Sequence, residues 1–215
     1  MLKRKISETL KKWREQPNHF PLVIMGIRQC GKTYISQLFA EENYKHVVYI
    51  NFIKQKRRKE AFYDSKDVDS IILNLSAQMR TAKFVPGETC IILDEIQDCP
   101  EARTSLKFFK EDGRYDIIAT GSLLGVQGYG QEEKKQRTRK PIEQERGSNS
   151  VPVGYEQIVE MYPLDFEEFL WANNMNEEII NVLKRCLEEE TPVPSGIHVA
   201  MKTLLYRYVA VGGMP

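Results

Sequence analysis

Short apolar runs recur along the chain, and stretches with helical periodicity precede, separate and follow them. LVIM (22–25) is wholly apolar, which suits a strand inside a parallel sheet covered on both faces. HVVYINF (46–52), TCIILDE (89–95), YDIIAT (115–120) and YEQIVEMYP (155–163) predict four further strands. Helices are predicted over residues 3–16, from Gly31 or Lys32 to about Asn43, over 68–80, and from Pro100 to about Lys110. Pro17 and Asn18 end the first of these, and Asp98 or Cys99 caps the last, with Pro100 at the favoured first position. Between them, KQKRRKEA (54–61) reads as a solvated basic connection. Strands alternating with helices at this spacing indicate βαβ units and a largely parallel sheet.

The rhythm breaks over residues 125–150, which are Gly-rich and then dense in mixed charge, with few apolar positions. Such a segment buries too little surface to offset its ordering entropy, so a flexible charged insertion is expected there. Beyond it, Asp165 and Glu168 form a D-x-x-E capping box ahead of Phe166, Phe169, Leu170 and Trp171. Helices over 176–190 and 197–210 follow, joined by TPVPSG. The expected division is a core over 1–163 and a helical lid over 164–215. The stop at GGMP suggests a fragment of a longer protein.

The length, 215 residues, allows one sizeable α/β domain with an appendage. With 31 basic and 30 acidic residues, the net charge of +1 supplies no global field toward nucleic acid or anionic lipid. No apolar run reaches the length that spans a bilayer, and the charged N-terminus lacks a signal-peptide core. The four cysteines, Cys30, Cys90, Cys99 and Cys186, show no C-x-x-C pairing, so free thiols in a reducing cytoplasm are expected.

Chemistry enters at the end of the first strand. Gly26 to Thr33 reads G-x-x-x-x-G-K-T, the spacing of a phosphate-binding P-loop. Gly26 allows the turn out of the strand, and Gly31 allows close approach of the backbone. The amides of Arg28, Gln29, Cys30, Gly31, Lys32 and Thr33 form an anion nest at a helix N-terminus. Ile27 and Tyr34 flank that nest as further contacts. Lys32 reaches the β- and γ-phosphates and the Thr33 hydroxyl ligates Mg²⁺. Cys30 contributes its amide; a redox-sensing thiol is the alternative reading of that position.

CIILDE then sets two carboxylates at the end of an apolar strand. Asp94 holds the Mg²⁺ shell, and Glu95 orients and deprotonates an attacking water. Kinases need no such base, and the guanine-reading N-K-x-D is absent from the sequence, so ATP hydrolysis is favoured. A third element, ATGS (119–122), ends the next strand. Ser122 is the first choice for a γ-phosphate or lytic-water sensor there and Thr120 the second, against a simple glycine turn.

With these motifs in place, the chain resembles the AAA-type ATPases of bacteria and archaea that carry a C-terminal domain of unknown function. The likeness rests on KRKI (3–6), PLVIMGIRQCGKTY (21–34), VVYINF (47–52), IILDEIQDCPEARTSLKFF (91–109), IIATGSLLG (117–125), VPVGYEQIVEMYPLDFEEFL (151–170) and YVAVGGMP (208–215). It implies an α/β P-loop fold, a three-layer αβα sandwich with a mostly parallel five-stranded sheet in the order 5-1-4-3-2. A small C-terminal helical lid follows, and then a further domain after Pro215, comparable to winged-helix or nuclease-like folds. By the same likeness Lys32, Thr33, Asp94, Glu95 and the ATGS residues take the family's ATPase roles. Arg4, Ile6 and Phe20 are candidates for the adenine pocket. Arg103, Arg114 and Arg146 are candidates for an arginine finger, each against the reading of a surface arginine.

The function expected is Mg²⁺-dependent ATP hydrolysis that couples the ATP or ADP state to an effector domain. The rival is a nucleotide-gated switch with little turnover, presenting residues 165–210 to a protein partner or a second copy. Contact with DNA is expected only through residues beyond Pro215.

Overall fold

The computed structural model describes residues 2–63, 65, 67–122 and 154–215. The insertion expected at 125–150, with Arg146 in it, lies outside the described residues. Five strands, β1 (Leu22–Gly26), β2 (His46–Asn51), β3 (Thr89–Asp94), β4 (Asp116–Ser122) and β5 (Gln157–Met161), form one sheet in the order β2-β3-β4-β1-β5. The predicted order 5-1-4-3-2 is the same sheet counted from its other edge. Strand β4 therefore lies between β1, which leads into Gly26–Thr33, and β3, which ends in Asp94. The β1–β4, β2–β3 and β3–β4 pairings are parallel. The helices are α1 (Ile6–Glu15), α2 (Lys32–Asn43), α3 (Val68–Gln78), α4 (Pro100–Asp112), α5 (Phe166–Ala172), α6 (Glu177–Glu188) and α7 (Ser195–Val211).

Contacts group the chain into two compact units, one of Gln16–Gly26 and Lys32–Glu160, the other of Met1–Glu15, Ile27–Gly31 and Met161–Pro215. In the first, alternate strand residues separate onto two faces, as the period of two requires. Val23, Met25, Val48, Ile50, Ile91, Leu93, Ile117 and Ala119 form one buried cluster with Ile71 and Leu75 of α3 and Leu106 and Phe109 of α4. Leu22, Ile24, Ile92 and Ile118, of opposite parity, are also fully buried, and α2 packs against β1 to β4. Both faces are covered, which is why these strands read as continuous apolar runs rather than alternating ones.

Two segments differ from expectation. Lys56–Ala61 is a 3-10 helix rather than a free connection, because Ala61 and Phe62 turn inward and are buried, anchoring the basic stretch. Strand β4 continues through Gly121 and Ser122, since these residues pair in register with Met25 and Gly26.

In the second unit, Leu170, Ile180 and Met201 form a small core with Phe166, Trp171, Ile179, Leu183, Ile197 and Leu204. The capping box is complete: Asp165 accepts from the Glu168 amide at 2.8 Å while Glu168 accepts from the Asp165 amide at 3.2 Å. Near the C-terminal end the Leu164 amide donates to the Gly213 carbonyl at 2.6 Å, and a Cβ at Gly213 would lie 2.2 Å from the Leu164 oxygen. Only glycine fits that approach.

Candidate phosphate and metal site

The end of β3 carries a carboxylate that four residues address. Asp94 is 2% exposed. Its Oδ1 accepts from the Thr33 hydroxyl at 3.0 Å and from the Thr120 hydroxyl. Its Oδ2 accepts from the Tyr49 phenol at 2.6 Å and from the Asn51 amide at 2.7 Å. A carboxylate offers about four acceptor positions, and here four donors address them. The parallel register explains the convergence: Asn51 of β2 stands opposite Asp94 of β3, and Thr120 of β4 lies one residue beyond Ala119, the partner of Leu93.

Tyr49 and Asn51 were not singled out from the sequence. The available signal was two polar side chains in the last three positions of the strand HVVYIN. Burial pushes the Tyr49 phenol up to about 12, and the hydrogen bond to Asp94 reinforces that rise. Tyr49 thus stays a hydrogen-bond donor across the whole neutral range. Asn51 also accepts from the amides of Ile53 and Lys54, at 3.1 and 2.8 Å, so its amide group is held from both ends.

Glu95 follows in the left-handed region at φ 58, uncommon for a residue with a Cβ. Its amide donates to Thr120 Oγ1 at 3.4 Å, and its Oε2 accepts from Gln97 Nε2 at 2.5 Å. Thr120 is therefore joined to both acids. Ser122, buried at the end of β4, sits in register with Gly26. Lys32, buried at the start of α2, donates from Nζ to the Gly26 carbonyl at 2.9 Å. The end of β1, the start of α2 and the ends of β3 and β4 therefore bring Gly26, Lys32, Thr33, Asp94, Glu95, Thr120 and Ser122 together.

The intervening residues 27–31 belong to the second unit. Ile27, Arg28 and Gln29 are exposed, Cys30 is buried, and positive φ at Gln29 (64) and Gly31 (96) bends the backbone. The Cys30 thiol donates to the Met161 carbonyl at 3.5 Å. Tyr34, in the first turn of α2, is exposed. All four cysteines are free thiols, and burial pushes Cys99 up to about 12, which leaves it protonated.

The other candidates fall in different settings. Arg4 is buried and bonded within the second unit, and Ile6 is buried on α1. Phe20 is 39% exposed beneath the Lys110 ammonium, 4.5 Å from its ring centre. Arg103 is not the surface arginine that its position suggested. It is 8% exposed and donates to Glu156 at 2.8 Å, because a carboxylate 53 residues away balances its charge inside the fold. Arg114 is half-exposed and paired with Asp112 and Asp69.

The Thr33 hydroxyl and the Asp94 carboxylate are oxygen donors, which suit a small hard cation such as Mg²⁺ better than a soft metal. Among the described residues no group of three or more His, Cys, Asp or Glu side chains gathers that could hold a metal ion by itself. No described helix is long and apolar enough to cross a membrane.

Comparison with solved structures returns chains of low identity. The Walker-type ATPase of Pyrococcus abyssi is 14% identical, with a TM-score of 0.48, over 100% of this chain and 65% of the other. The Drosophila ORC bound to DNA is 16% identical, with a TM-score of 0.45, over 85% of this chain and 48% of the other. The Aeropyrum pernix ORC1 protein in complex with DNA is 12% identical, with a TM-score of 0.45, over 80% and 47%. The chain thus spans less than two thirds of each of these proteins. No curated protein matches the sequence. The family model described as "AAA domain" matches residues 18–170, most of the chain, and the protein belongs to that AAA domain family.

Proposed function

We propose that the chain binds ATP with Mg²⁺ and hydrolyses it at the ends of β1, β3 and β4. The observation that carries this reading is the 3.0 Å contact between the Thr33 hydroxyl and Asp94. It joins the last residue of the phosphate-loop motif to the acidic pair. In this reading the amides from Arg28 to Thr33 and the Lys32 ammonium hold the polyphosphate. Thr33 and Asp94 hold the metal, directly or through water. A bound Mg²⁺ would neutralise charge that develops on the phosphate oxygens. Glu95 takes a proton from the attacking water, Thr120 keeps the two acids in register, and Ser122 senses the terminal phosphate. Coupling to a further domain, and any protein or DNA partner, belong to the same proposal.

The rival reading, a nucleotide-gated switch with slow turnover, draws support from one contact. The Glu95 carboxylate is engaged by Gln97, so the base must leave that partner to meet water. Multiple-turnover phosphate release in Mg²⁺ and in chelator, with the Glu95→Gln variant as control, separates the two. Hydrolysis predicts Mg²⁺-dependent turnover that falls about 10²- to 10⁴-fold in the variant, with ATP still bound. Equal rates in the two proteins defeat the assignment of the base. Tightly held ADP with negligible wild-type turnover supports the switch.

A further inference from the structure

Arg4 lies just ahead of α1, yet its guanidinium is almost wholly inside the second unit, 7% exposed. It makes three contacts. Nη1 donates to the Cys30 carbonyl at 3.0 Å, Nη2 donates to the Tyr162 carbonyl at 2.7 Å, and Nε lies 3.2 Å from Glu168 Oε1. The last contact is an ion pair by distance rather than an aligned hydrogen bond. Glu168 is itself 5% exposed and fixed by the amides of Lys5 at 2.7 Å and Asp165 at 3.2 Å. Its carboxylate therefore has a set position before Arg4 is considered.

The Cys30 carbonyl and the Gly31 amide belong to one peptide group. In a trans peptide the C=O and N–H point to opposite sides, and no described peptide is cis. Holding the carbonyl therefore fixes the direction of the Gly31 N–H. A guanidinium on the oxygen also polarises the peptide and strengthens that N–H as a donor. Gly31 has φ 96, which glycine adopts readily and which leaves this peptide free to rotate unless something holds it.

We propose that Arg4 is a positioning residue for the phosphate loop: its grip on the Cys30 carbonyl aims the Gly31 amide at a bound polyphosphate, and Glu168 fixes Arg4 for that task. This rests on the nucleotide reading above and assigns Arg4 away from the adenine pocket. A guanidinium can address two carbonyls and a carboxylate in one plane, whereas an ammonium cannot reproduce that fork. Arg4→Lys keeps the charge and loses the aim.

The test measures displacement of a fluorescent ADP analogue by ATP, by inorganic tripolyphosphate and by adenosine, for wild type and Arg4→Lys. Thermal unfolding is recorded alongside. The expected result is a loss of about tenfold in affinity for both ATP and tripolyphosphate, as for one charge-assisted hydrogen bond, with adenosine unchanged. An unchanged tripolyphosphate affinity overturns the proposal, and so does an adenosine loss as large as that for ATP. A purely structural role would lower the melting temperature without selecting the phosphate-bearing ligands. If Arg4→Lys fails to fold, Glu168→Gln carries the same comparison, with a smaller loss of the same selectivity expected and equal affinities overturning the idea. A wild-type chain that binds neither ATP nor tripolyphosphate instead defeats the nucleotide reading itself.

Discussion

Thr33 and Asp94 lie 61 residues apart in sequence, and the hydroxyl of one donates to the carboxylate of the other at 3.0 Å. A helix start and a strand end, each on a different crossover of the sheet, meet at that bond. The carboxylate is also the acceptor for Thr120, Tyr49 and Asn51. It organises the ends of three strands.

Replacing Asp94 with Asn keeps the volume and removes the charge, but turns an NH₂ group toward donors that need an acceptor. Leaving one buried donor unmatched costs about 1–3 kcal/mol. Asp94→Asn is expected to lose stability in that range by urea unfolding. It is also expected to lose the difference in ATP affinity between Mg²⁺ and chelator. Retention of both properties would remove Asp94 from the metal's shell.

Lys32 holds the Gly26 carbonyl at 2.9 Å, so it has a place to rest when no anion draws it away. Lys32→Ala is expected to abolish detectable ATP binding in equilibrium dialysis while the melting temperature stays close to wild type. A wild-type dissociation constant in this variant would show that the ammonium does not meet phosphate.

Tyr49 offers a dependence on alkaline pH. Its phenol is pushed up to about 12 by burial, with Asp94 adding to the rise, against about 10 in an unfolded chain. The folded state therefore favours the protonated form. The stabilisation is whole below pH 10 and is lost as the pH climbs through about 12. Wild type should exceed Tyr49→Phe in stability near pH 8, and the gap should narrow by pH 11 in paired urea titrations. A gap that widens with pH would reverse the sign of this argument.

Arg103 and Glu156 form a buried pair, with the Glu156 side chain 2% exposed. Removing one partner leaves the other charge inside the fold, at a cost of about 3–5 kcal/mol. Arg103→Ala should therefore destabilise strongly, while the double variant Arg103→Met with Glu156→Leu should be more stable than Arg103→Ala. Denaturant midpoints decide it. A mild effect for the single variant would mean that water or the other interactions of Glu156 balance its charge.

The strands and the capping box were legible because each follows from local periodicity or a fixed short spacing, whereas the sheet order came from the family resemblance. The Gly26–Thr33 stretch and the Asp94–Glu95 pair could be picked out as contiguous motifs, and the structure sets Thr33 against Asp94. Tyr49 and Asn51 were not, since their meaning comes from register with β3 rather than from neighbours in sequence. Arg103 looked like an exposed residue because its partner sits 53 positions away. The 3-10 turn over Lys56–Ala61 was hidden by its basic composition, although Ala61 and Phe62 anchor it. Long-range pairing of charge and register is the information that a linear reading lacks.

The left-handed backbone at Glu95 sets robustness against chemistry. Glycine adopts that φ freely, and a residue with a Cβ pays roughly 1 kcal/mol or more to sit there. A library screened for survival of heating, with no demand for turnover, should therefore enrich Glu95→Gly. If Glu95 is the base proposed above, the hardiest descendants of this protein would be the ones least able to burn fuel.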